Sequence, residues 1–75
     1  MTRLRMLKAN EIINALKKDG FIPARQKGSH VRLVHKDGRV VTVPCHAGQD
    51  VGRGLLRKIL RDAEMTPDDL LKLIE

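Results

Sequence analysis

His30, His35, His46, Cys45 and a run of arginines are the residues of this chain whose types suit chemistry. The histidine of Gly28-Ser29-His30 stands where a strand should begin, after a residue that weakens pairing and marks a bend or a close backbone approach. Its bland reading is a half-exposed sheet residue. The chemical reading is a base that titrates near neutral pH. Gly28 and Ser29 leave it uncrowded, and Lys27 and Arg32 flank it with positive charge. Cys45 as a nucleophile would need a base, an orienting group and an oxyanion site, and the sequence supplies at most the base. A metal held by Cys45 and His46 with His30 and His35 is not expected. The spacing differs from paired zinc ligands, and neighbours on a strand point to opposite faces.

Arg53, Arg57 and Arg61 recur every four residues, with Lys58 beside them, and make one ridge along a helix. Guanidinium groups so spaced can grip successive phosphates or carboxylates. A solvated face opposite the Leu55/Leu56/Ile59/Leu60 stripe would give the same pattern. The uniform sign, with Asp62 the one acid beside it, favours a binding role.

These residues need elements to position them. Ala9, Ile12, Ile13 and Leu16 have the spacing of one buried helix face, which Gly20 is placed to end as a left-handed cap. Lys8 is no capping residue, and Asn10 is the alternative start. Phe21 and Ile22 open a short strand that Pro23 confines to an edge or ends. His30–Lys36 and Arg39–Pro44 read as strands around Asp37-Gly38, a two-residue hairpin signal that pairs Val34 with Val41 and His30 with Cys45. Asp50 is a candidate cap for a second helix with buried Leu55, Leu56, Ile59, Leu60 and Ala63. Thr66-Pro67-Asp68-Asp69 starts a short last helix, with Leu70, Leu71 and Ile74 on its buried side. The fold class expected is α+β: helix, three-stranded antiparallel sheet, helix, and a short C-terminal helix, the helices covering one face.

Size and composition narrow the function. The 75 residues are expected to form one domain, 1–75. Phe21 is the only aromatic of its kind, so base stacking on several rings is excluded. A net charge of +6 favours a polyanionic or acidic partner, or simply keeps the chain dissolved. A single cysteine fits a reducing compartment. The first residues lack a signal-peptide core, and no run has the length of a membrane span. The expectation is a soluble cytoplasmic protein with no membrane partner.

In sequence order, LKKDGF (Leu16 to Phe21), GSH (Gly28 to His30), DGRVVTVPCH (Asp37 to His46), GLLRKIL (Gly54 to Leu60) and MTPDDL (Met65 to Leu70) resemble the HicA-type, or YcfA-like, toxins of toxin–antitoxin modules. The resemblance covers Lys8 to Ile74. It implies a fold like the double-stranded RNA-binding domain and a ribosome-independent, metal-free endoribonuclease acting on mRNA, with no cofactor. It makes the GSH histidine, His30, the catalytic residue, and it implies a HicB-type antitoxin that blocks the site. Val43, Pro44 and His46 match a further family element without a settled role. Cys45 stands where a basic or aliphatic residue is more usual.

Metal-free RNA cleavage uses the neighbouring 2′-hydroxyl as nucleophile, and needs a base, an acid and positive charge at the phosphate. His30 is the candidate base. His46 or Lys27 are candidates for the acid or the charge, Ser29 for orienting the phosphate or His30, and Gly28 for close approach of the RNA. Arg32, Arg53, Arg57, Lys58 and Arg61 are the candidate RNA contacts. The rival readings are a non-catalytic RNA-binding or adaptor domain of the same fold, recognising A-form geometry, and a protein-binding module with acidic partners.

Overall fold

The structure, a computed structural model, describes residues 7–45 and 50–75. The chain runs β1 (Leu7–Lys8), α1 (Ala9–Lys18), β2 (Ile22–Lys27), β3 (His30–Val34), β4 (Val40–Pro44), β5 (Asp50–Val51), α2 (Arg53–Ala63) and α3 (Pro67–Ile74). It is α+β, with an antiparallel sheet in the order β2-β3-β4 and a small β1–β5 ribbon that the sequence pattern did not signal.

Helix α1 buries Ala9, Ile12, Ala15 and Leu16. It starts at Ala9 and not at Asn10, because the Glu11 carboxylate accepts from the Lys8 N–H at 3.0 Å and closes the first turn from inside. Its end is a Schellman motif. Phe21 N–H donates to the Leu16 carbonyl and Gly20 N–H to that of Lys17, with Gly20 at φ 108°. Gly20 has a second reason to be glycine, since a Cβ there would lie 2.8 Å from Nε2 of His35.

Helix α2 buries Leu56, Ile59, Leu60 and Ala63. Asp50 does not cap it; the cap position is Gly52, and Asp50 sits in β5 opposite Lys8, whose ammonium it pairs with at 3.0 Å. Helix α3 has the expected reciprocal cap. Thr66 Oγ1 accepts from Asp69 N–H at 3.1 Å, and the Asp69 carboxylate accepts from Thr66 N–H at 3.0 Å.

Val31 and Leu33 on β3, with Val41 and Val43 on β4, point inward and form the core with Phe21 and the helical stripes. This alternation corrects the expected register. Leu33 faces Val41, Val34 faces Val40, and His30 faces Pro44. Pairing Val34 with Val41 would set a buried residue opposite an outward one, which a pleated pair does not allow. The connection is therefore longer than two residues: Gly38 N–H donates to the His35 carbonyl and His35 N–H to that of Arg39. Gly38 has φ 100° and Asp37 does not share it, the pattern of a three-residue loop with a glycine bulge.

Strand β2 keeps to an edge, as Pro23 required, yet it runs on to Lys27. Its register shifts by one between Pro23 and Arg25, leaving Ala24 as the extra residue of a β-bulge.

Candidate active site at the β2–β3 turn

Gly28 and Ser29 are the two residues of a tight hairpin turn closed by the pair Lys27–His30. Gly28 has φ 58° and Ser29 does not share the positive value, which matches a type II′ turn with glycine first. A Cβ at Gly28 would meet nothing within 4 Å, so the backbone angle and not crowding calls for glycine. The turn is tied on both sides. Gln26 Nε2 donates to the Gly28 carbonyl at 3.3 Å, and Cys45 N–H donates to the carbonyl of half-buried Ser29.

His30 opens the central strand of the sheet rather than lying on an edge strand. Its side chain is exposed, and no group among the described residues hydrogen-bonds its ring. On the outward face it shares a rung with Lys27 and Pro44. The next outward rung is Arg25, Arg32 and Thr42, and the last is Ile22, Val34 and Val40. The open face is thus graded from a histidine–lysine end, through a cationic middle, to an apolar end. Its Ile22 is 64% exposed and Val40 38%.

The candidate RNA contacts do not gather on one surface. Arg53, Arg57 and Arg61 are exposed on α2, which packs by its opposite stripe on the inner face of the sheet. Arg39, just before β4, hydrogen-bonds the carbonyl of Ala63 at the end of α2. The C-terminal end of α2, and Arg61 with it, therefore lies by the start of β4, at the end of the sheet away from His30. The ridge spans about 12 Å along the axis, so one phosphate cannot meet all of it. Lys58 is occupied in part by Asp62, at 3.4 Å. His46 lies outside the described residues, so its distance to His30 is not placed. No three His, Cys, Asp or Glu side chains among the described residues are grouped to hold a metal. Cys45 is free and half-buried against the core.

Nothing in the residue pattern marks Arg39 as a structural centre. Its guanidinium reaches Asp37 Oδ2 at 2.8 Å and Asp19 Oδ2 at 3.3 Å, and lies 5.0 Å from the centroid of Phe21. His35, weighed above as a metal ligand, belongs to the same corner. Its Nε2 donates to the Asp19 carbonyl at 3.0 Å, Nδ1 lies 3.2 Å from the Asp37 amide, and the ring meets Phe21 edge-on at 5.1 Å. Only the Asp-Gly-Arg turn is local; Asp19 and Ala63 are 20 and 24 residues from Arg39.

The fold and site define a small α+β protein with an exposed histidine at the tip of a hairpin, on a basic sheet face. The family described as HicA toxin of bacterial toxin–antitoxin matches the chain over residues 9–65, and the chain belongs to it. It is a toxin of a toxin–antitoxin module, whose partner is an antitoxin. No curated protein matches the chain. No helix among the described residues is long and apolar enough to cross a membrane.

Proposed function

We propose that this toxin is a metal-independent, ribosome-independent endoribonuclease that cuts mRNA, with His30 as general base. The observation that carries the reading is an exposed imidazole, unclaimed by any described group, held by a tight turn beside Lys27 in a chain of the HicA toxin family. In the reaction His30 takes the proton of a 2′-hydroxyl, whose oxygen bonds to the adjacent phosphorus. The bond from phosphorus to the 5′-oxygen breaks, and an acid, Lys27 or His46, protonates that oxygen. The products are a 2′,3′-cyclic phosphate and a 5′-hydroxyl. Ser29 orients the phosphate or His30. Arg32 and the α2 ridge attract the RNA. A HicB-type antitoxin neutralises the toxin by covering His30 and its cationic surround.

The test is cleavage of RNA in EDTA by His30→Ala. A strand-end imidazole outside the core carries little stability, while loss of a general base lowers the rate by about 10²–10⁴. The variant should fold and bind RNA yet not cut it, and a 2′-deoxy nucleotide at the cut site should protect the RNA from the parent chain. Co-expressed antitoxin should abolish the same cleavage. Full activity in folded His30→Ala, or cleavage at the deoxy site, would overturn the mechanism. An inert parent chain that retains RNA would favour the binding-module reading.

A further inference from the structure

We propose that Arg25 and Arg32 form a phosphate clamp that holds the substrate backbone across the open sheet face, one rung from His30. The inference rests on the ribonuclease reading and adds to it where the backbone lies.

Arg25 and Arg32 are direct cross-strand partners, both exposed. Like charges set opposite each other weaken strand pairing. No carboxylate among the described residues forms an ion pair with either one. Thr42, on the other side of Arg32, adds a hydroxyl and no charge. Paired on one rung of adjacent strands, the two arginines are placed to reach one anion, and a guanidinium fork suits bidentate contact with phosphate.

The bulge at Ala24 is an independent sign. Pro23 pairs with inward-pointing Leu33. Without an extra residue, Ala24 would turn outward and Arg25 inward. The extra residue flips that parity, so Arg25 and Lys27 share the outward face with Arg32 and His30. Bulges beside active sites re-aim side chains in this way. Same-face residues two apart on a strand are separated by about 6.7 Å. A phosphate on the clamp therefore leaves a neighbouring sugar–phosphate step within reach of His30. The apolar rung of Ile22, Val34 and Val40 bounds the track on its far side.

The clamp is tested in the His30→Ala background, so that RNA survives, by fluorescence anisotropy with a labelled mixed-sequence single-stranded RNA. Arg25→Gln and Arg32→Gln should each weaken binding roughly three- to tenfold and make the slope of log K against log salt shallower by about 0.7. Lys36→Gln, an equal loss of charge at the other end of the sheet, should change neither by as much. Arg25→Lys should recover the salt slope but only part of the affinity. In the chain with His30 intact, the glutamine variants should raise KM with little change in kcat, and thermal stability should not fall. If the parent binds RNA and the double variant binds equally well with the same slope, the clamp is wrong and the ribonuclease reading stands. A parent with no affinity for RNA overturns both.

Discussion

The strand β3 has a histidine at each end, and the two ends are built in opposite ways. His30 opens the strand at a two-residue turn, exposed, with no described group on its ring. His35 follows the strand at the longer turn, its side chain only 12% exposed. Both of its nitrogens are engaged, Phe21 packs at its edge and Gly20 beneath it. The imidazole chemistry is the same. What differs is whether the nitrogens are already committed. A ring with an N–H on the Asp19 carbonyl and Nδ1 against Asp37 fastens the end of α1 to the β3–β4 loop, and has nothing left to offer a substrate. A ring projecting from a stiff turn can meet one. Residue type does not separate the two histidines; hydrogen bonding does.

Replacing Arg39 with Ala tests the structural end most severely. The Arg39 side chain is 18% exposed, and its guanidinium joins the last carbonyl of α2, Asp19 after α1, Asp37 and the face of Phe21. Loss of these contacts should destabilise the fold by about 2–4 kcal/mol, from hydrogen bonds to a charged group plus a cation–π contact. A core this small supplies roughly 3–5 kcal/mol. Urea titration should thus find Arg39→Ala near its unfolding midpoint without denaturant. A midpoint within error of the parent would show that the corner does not hold the helices to the sheet.

His35→Ala comes next, at about 1–3 kcal/mol for two hydrogen bonds and the ring packing. Crossed with His30→Ala it sharpens the comparison. His35→Ala should lower the urea midpoint and leave cleavage per folded molecule unchanged, whereas His30→Ala should do the reverse. A folded His35→Ala protein without activity would mean that the two ends of β3 are coupled, and the division drawn here would fail.

Much of this layout was legible in the sequence, for reasons that can be named. The stripes of α1 and α2 and the Thr66 cap are local signals, and each element appears where its spacing put it. The β3–β4 register was not, because Asp-Gly fits two hairpin types and the inward pair Leu33–Val41 decides between them. The Asp50 cap failed because the short β5 takes that residue for pairing with Lys8. At the site, Gly28 to His30 stood out by composition. Arg25 did not, since a bulge changes which residues share a face and leaves no mark in residue type. The corner around Arg39 was hidden altogether, its partners lying far off in sequence.

The smallest expected effect is an acid response confined to the structural end. The Arg39 backbone N–H, bonded to Asp37 at 3.0 Å, holds the Asp37 carboxyl below its ordinary value of 3.8, helped by the Arg39 side chain and His35 and opposed by slight burial. The Thr66 N–H does the same for Asp69 in the cap of α3. For a carboxyl depressed in the folded state, the stabilisation is fully present above the unfolded value and is lost as pH falls through the folded one. Stability should therefore be level with respect to these two groups above pH 3.8 and decline below it. Both carboxylates are exposed, so the decline should be shallow. In two-dimensional NMR the amides of Arg39 and Thr66 should titrate with midpoints below 3.8, as their acceptors gain protons. The amides of Lys27 and His30, at a turn without a carboxylate, should stay still over that window. Midpoints above 3.8 would contradict the assigned hydrogen bonds, and hairpin amides moving in step with Arg39 would show that acid acts on the whole sheet instead of one end.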